Sequence, residues 1–325
     1  MKANEVGIAG EVRCIITRAD GSVKADTGFQ KNLILNQGLD FFGGNNGTNI
    51  NAYCAIGSGN STPAITQTKL DAYITQASGT DITSDYSYVD KGDGLYRMWE
   101  QKKYRFTGLD NVNISEVGLI STGTSSTNYY LTTRVLIKDS FGAPTSISVK
   151  TGETLDIYYK VHKVIDTSDK SFVINVLDGE GGSVPYNVVI RPSMLGHPKT
   201  LSISTKLEIV PNSYGGVSSD NNDLASNVNS SDWGRNGGAV SLGSYSTGSY
   251  KNIATLVFGL NNANVVNGVR RLGFYPDSTR GVAISFLTFQ MRLGRVSDDA
   301  PLIKTNKDTL TVPIEFSWGR YEGTL

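Results

Sequence analysis

The chain has 325 residues, with 30 Lys and Arg against 30 Asp and Glu, 36 Gly, two His and two Cys. That length exceeds one ordinary domain and suits two, and the balanced charge excludes the Lys and Arg excess that phosphate contacts with nucleic acid demand. A hydrophobic fraction of 38% supports buried cores, while a charged fraction of only 18% leaves a Ser-, Thr-, Asn- and Gly-rich surface suited to packing against other subunits.

No stretch approaches the ~18 consecutive apolar residues of a bilayer span, and Met1 to Gly10 lacks the apolar run of a secretory signal. Synthesis in a cytoplasm, without membrane insertion, is the expectation. Cys14 and Cys54 lie in apolar strand-like runs without a CxxC spacing, which reads as two buried free thiols.

Short alternating or apolar runs bounded by Gly, Asn, Asp and Ser dominate the chain, the pattern of half-buried strands and their turns. Glu11 to Arg18, the turn dipeptide Asp20-Gly21 and Ser22 to Ala25 predict an opening hairpin. Lys31 to Phe42 spaces Leu35, Leu39 and Phe42 at helical intervals before Gly43-Gly44, so a short helix is expected there. After Gly57-Ser58-Gly59-Asn60-Ser61-Thr62-Pro63, the spacing of Thr66, Leu70, Tyr73 and Ile74 predicts a second short helix. Strands follow at Leu95 to Phe106, Ile114 to Ile120, Tyr129 to Ile137, Ser146 to Val149 and Leu155 to Val164. In the last of these Leu155, Ile157, Tyr159 and Val161 alternate with Asp156, Tyr158, Lys160 and His162, a strand with one wet face.

The polar segment 166–170 reads as a linker. It divides an N-terminal β-sandwich assembly domain, 1–165, from a C-terminal β-sandwich domain, 171–325. Strand candidates in the second half are Phe172 to Leu177, Tyr186 to Arg191, Thr200 to Val210, Ile253 to Gly259, Arg270 to Tyr275, Val282 to Leu293 and Thr309 to Trp318. A long polar loop at 211–249 is read as an exposed contact arm. The fold class expected is mainly β, two β-sandwich-like domains with one or two short helices in the first. A repeated phrase, Lys150-Thr151 with Glu153-Thr154-Leu155 and Lys304-Thr305 with Asp308-Thr309-Leu310, reads either as a duplication or as shared turn chemistry.

Residues for chemistry are sparse. There is no GxSxG nucleophile elbow and no GxxxxGK[ST] or GxGxxG loop. His162 and His197 have no metal-ligand spacing, and neither Asp90 to Gly94 nor Asp220 to Asp223 completes a calcium-loop register. Glu100 beside Trp99 could suggest sugar cleavage, but neighbours on a strand face opposite ways, so packing is preferred. No catalytic residue, metal ligand or cofactor is expected. Trp233, in the long polar segment, is the one candidate for subunit contact or glycan stacking.

Phe29 to Asp40, Ala55 to Pro63 with Thr68-Lys69-Leu70, Ile114 to Leu119 and Gly152 to Tyr159 follow one another in an order that resembles the start of structural proteins of tailed bacteriophages. The resemblance spans about the first half of the chain. It implies a β-sandwich used for assembly in the tail, baseplate or tail-fibre region of the virion, without a reaction, in a homo-oligomer such as a trimer or hexamer. Partners would be further copies of the chain and neighbouring virion proteins. Two alternatives are a tail protein that binds a host surface glycan and a capsid decoration protein; a glycan depolymerase is a more distant third.

Overall fold

The computed structural model describes residues 2–44, 50–88, 92–123, 129–177, 180–192, 216–224, 238–275 and 289–325. The protein is mainly β, built of large curled sheets, with one short helix among the described residues.

The strands of the first half are β1 (Lys2–Thr17), β2 (Val23–Asp26), β3 (Gln30–Lys31), β4 (Leu33–Ile34), β5 (Tyr53–Gly57), β6 (Tyr73–Tyr88) and β7 (Leu95–Phe106). They continue as β8 (Val112–Ile114), β9 (Glu116–Gly123), β10 (Tyr129–Leu131), β11 (Thr133–Leu136), β12 (Ile147–Val149) and β13 (Thr154–Asp166), and the helix α1 is Asn36–Gly44. The second half supplies β14 (Lys170–Leu177), β15 (Ser183–Pro192), β16 (Gly216–Asp220), β17 (Ala239–Leu242), β18 (Lys251–Phe258), β19 (Arg271–Tyr275), β20 (Phe289–Arg295) and β21 (Leu310–Arg320).

A 14-stranded sheet runs in the order β17-β18-β21-β1-β13-β7-β6-β5-β9-β11-β4, with β2 and β3 on β1 and β10 on β9. A five-stranded sheet runs β14-β15-β20-β19-β16, and β8 pairs with β12. The period-two pattern explains the centre of the large sheet. Val6, Ile8, Val12, Cys14 and Ile16 of β1 and Leu155, Ile157, Tyr159 and Val161 of β13 all point into the core. The unbroken β1–β13 ladder, from Val6↔Ile165 to Thr17↔Thr154, holds them in register. The opening hairpin forms as predicted, with Ile16 opposite Ala25 and Gly21 at a φ of 85°.

Strands β18 and β21 join this sheet through a parallel pairing of β21 with β1, Val6 opposite Trp318 and Ile8 opposite Arg320. The main core is correspondingly one cluster that includes Val6 and Tyr159 from the first half and Val188, Phe258 and Phe316 from the second. The segment expected as a linker turns the chain from β13 into β14, and Thr167 donates its backbone N–H to Gly94. Within 211–249 the structure describes β16, which pairs with β19, and β17, which pairs with β18.

Two local expectations need correction. Residues 31–34 extend as strand rather than helix because Leu33 and Ile34 pair with Arg134 and Thr133 of β11, so α1 begins only at Asn36. No second helix follows Pro63. Residues 58–72 form an irregular crossing held by side-chain bonds, and Tyr73 and Ile74 already belong to β6, pairing with β5.

The two copies of the repeated phrase close their turns in the same way. Glu153 accepts the Lys150 N–H at 2.8 Å, and Asp308 accepts the Thr305 N–H at 2.8 Å. Each carboxylate closes the turn that launches a strand, and the two strands, β13 and β21, flank β1 on opposite sides.

Candidate functional site

The middle strands β5, β9 and β11 are covered on both faces. Cys54, Ile56, Val117, Leu119 and Val135 face the main core, while Ala55 and Ile120 on the other face join Leu35, Leu70, Tyr129 and Leu131 in a second cluster. Two-sided burial accounts for the continuous apolar runs in these strands, where a half-exposed strand would alternate. The cover on the second face includes the crossing 58–72, and a buried ion pair fastens it.

Glu116 of β9 and Arg134 of β11 have fully buried side chains and meet at 2.8 Å through Arg134 Nε. Oε1 of Glu116 also accepts the backbone N–H groups of Gly59 at 3.0 Å and Ala72 at 2.8 Å, and Oε2 accepts that of Asp71 at 3.2 Å. Arg134 uses its remaining nitrogens on the Asp71 carboxylate at 2.7 Å, the Ser61 carbonyl at 3.1 Å and the Gln67 side-chain oxygen at 2.9 Å. The pair thus ties both ends of the crossing to the sheet. A buried ion pair persists only when its remaining donors and acceptors are satisfied in this way.

Burial works against the charge of Asp71, but hydrogen bonds from Ser61 and the Arg134 guanidinium prevail and hold its carboxyl below the usual range. Nearby, Leu70 donates its N–H to the Tyr129 hydroxyl at 2.8 Å, and the Lys69 ammonium sits 3.9 Å from the centre of the Tyr129 ring. Burial there lowers the pKa of Lys69.

The glycines of this region serve close approach. A Cβ on Gly59 would lie 2.5 Å from Oε1 of Glu116, and one on Gly118 would lie 2.5 Å from the Thr133 carbonyl oxygen. The sequence phrases singled out above meet here. Asn36 donates its N–H to Ile65 at 2.8 Å, Gln37 donates to the Leu131 carbonyl at 2.8 Å, Ser115 donates its hydroxyl to Gly59 at 2.7 Å, and Tyr159 donates to Thr133 at 2.6 Å. Arg134, the residue on which the arrangement turns, lies outside the phage-like phrases and stands in the sequence only at the head of the repeated phrase, Arg134-Val135-Leu136 against Arg292-Leu293. Its signal, and that of Glu116, is a charge directly before an apolar stretch, Val135-Leu136-Ile137 in one case and Val117-Gly118-Leu119-Ile120 in the other.

The remaining candidates are dispersed. Trp233 and His197 lie outside the described residues, as does Asp90. Glu100 is buried, with Asn51 Nδ2 3.4 Å from Oε1, and burial pushes its pKa up; Trp99, on the opposite face of β7, has the Lys160 ammonium 4.7 Å from its ring. His162 Nε2 lies 2.9 Å from the Glu11 carboxylate. Asp93 pairs with Arg97, Asp220 with Arg271, and Asp223 with Arg292. Among the described residues no group of three or more His, Cys, Asp or Glu side chains is gathered to hold a metal. Comparison with known proteins found no matching family profile, no matching curated protein and no matching solved structure.

Proposed function

We propose that this protein is a structural component of a tailed-phage virion, acting in the tail, baseplate or tail-fibre attachment region through oligomeric protein–protein assembly, and that it catalyses no reaction. The observation that carries the reading is that the phage-like phrases meet around β9, β11 and the crossing 58–72, and that two of them, Ala55 to Pro63 and Ile114 to Leu119, supply Gly59, Ser61 and Glu116 to the Glu116–Arg134 clasp. Those phrases are far apart in sequence, and the chemistry they assemble is consumed in fixing backbone: four donors occupy the two oxygens of Glu116. A carboxylate so saturated has no lone pair aimed at a substrate, whereas general acid–base work requires a group within reach of one. What such a clasp provides is a rigid surface, which suits a building block.

The test is mass spectrometry of particles purified from cells that produce the chain, with heads and tails separated. The protein is expected in the tail fraction, at a copy number that is a multiple of three. Its absence from both fractions would overturn the proposal, and recovery with heads alone would move it to capsid decoration.

A further inference from the structure

We infer that the β14 edge pairs antiparallel with β14 of a second copy, about a two-fold axis at Asn175; the inference rests on the assembly reading and gives it a specific contact. Among the described residues β14 has a strand neighbour on one side only, β15. It is an eight-residue strand in an unbroken ladder, from Lys170↔Ile190 to Leu177↔Ser183. The strands at the other sheet ends are shorter: β4 has two residues, β17 four and β16 five. Exposed edges are commonly blunted by Lys, Pro or a bulge. From Ser171 to Leu177 this edge has none of these, and it exposes Val173 at 59% and Leu177 at 78%.

The occupant follows from hydrogen-bond direction and from the order of side chains. Asn175 lies opposite Pro185, which has no N–H to give, and the Pro185 carbonyl instead accepts the Val296 N–H at 2.9 Å. Asn175 and Pro185 are therefore a non-hydrogen-bonded pair, so the N–H and C=O of Asn175, and by alternation of Val173 and Leu177, point to the open side. Val173-Ile174-Asn175-Val176-Leu177 reads aliphatic, aliphatic, amide, aliphatic, aliphatic in both directions.

Centred on Asn175, an antiparallel copy sets Val173 against Leu177 of the second copy, Ile174 against its Val176, and Asn175 against its Asn175. The outward-pointing pairs exchange both backbone bonds, apolar side chains meet apolar ones, and the two amides meet across the axis. The segment carries no charge, and Lys170 is already paired with Asp166, so two copies approach without repulsion. A two-fold contact cannot close a lone trimer, but it builds a hexamer from three such pairs.

Sedimentation equilibrium of the full chain should find self-association that Asn175→Lys or Asn175→Asp alone weakens about tenfold, while an equimolar mixture of the two variants recovers it. Under mild oxidation Asn175→Cys should cross-link into a covalent dimer faster than Ser171→Cys, which is also exposed on the same face of β14. A strictly monomeric wild type, or equal cross-linking of the two Cys variants, overturns the inference. Failure here, with the protein still present in tails, leaves the assembly reading intact; a dimer missing from every particle fraction does the reverse.

Discussion

Replacing Glu116 by Gln conserves shape and removes the charge at the centre of the clasp. Whichever way the new amide is turned, its NH2 faces two N–H donors. These are Gly59 and Ala72 if it replaces Oε1, or Asp71 and Arg134 Nε if it replaces Oε2. Each buried donor left without an acceptor costs about 1–3 kcal/mol, and removing one partner of a buried ion pair costs about 3–5 kcal/mol. The two figures describe the same loss from two sides, so the expected destabilisation is about 3–5 kcal/mol. With a urea slope of about 3 kcal/mol per molar, the unfolding midpoint falls by about 1–1.7 M. The matched control is Arg13→Gln, which breaks a half-exposed pair with Asp26 and should cost no more than about 1 kcal/mol. Limited proteolysis provides a local readout, because the crossing 58–72 should become cleavable in the Glu116 variant well below its urea midpoint. A loss below about 1 kcal/mol with the crossing still protected would refute the reasoning, since the carboxylate would then not be the anchor.

Other expectations are independent of that one. Gly118→Ala sets a methyl group 2.5 Å from the Thr133 carbonyl and 2.6 Å from Leu131, and should destabilise the fold by about 1–3 kcal/mol in the same urea assay. Cys14 and Cys54 are buried free thiols, and burial pushes Cys14 up to about 12, so iodoacetamide should label both only in denaturant; labelling of the native protein would contradict their placement. The Arg13 hydrogen bond lowers Asp26 to about 2, below its unfolded value near 3.8; its contribution, at most about 1 kcal/mol after solvent screening, is present above that value and is lost as pH falls through about 2. Glu100 has the opposite sign: its folded pKa is raised, so its charging opposes folding as pH rises above the unfolded carboxylate value, and Glu100→Gln should remove that decline from the stability–pH profile.

The elements that could be read from the sequence are those in which one face is wet. In β13 the alternation of Leu155, Ile157, Tyr159 and Val161 with polar neighbours gives both the strand and its buried side. Strand β6 was illegible because its polar run is held extended by hydrogen bonds to β5 and β7, a tertiary cause that periodicity does not report. The helix expected after Pro63 shows how a period misleads. Leu70 and Tyr73 do share one apolar cluster, but Ile74 packs on the other core, as alternation along a strand requires. The clasp was half legible, since its glycines and Glu116 were picked out as a pattern. Arg134 was not, because its pairing joins two strands and a crossing that only the fold brings together.

The parallel pairing of Lys2–Ile8 with the strand that ends at Arg320 sets a timetable for biosynthesis. At roughly 10 residues per second, a ribosome adds the last neighbour of the first strand about half a minute after that strand has emerged. Through that interval one edge of the first strand, with Val6 and Ile8 on it, lacks its partner, so the yield in a cell should depend on holdase chaperones and fall with any stalling of translation before residue 310.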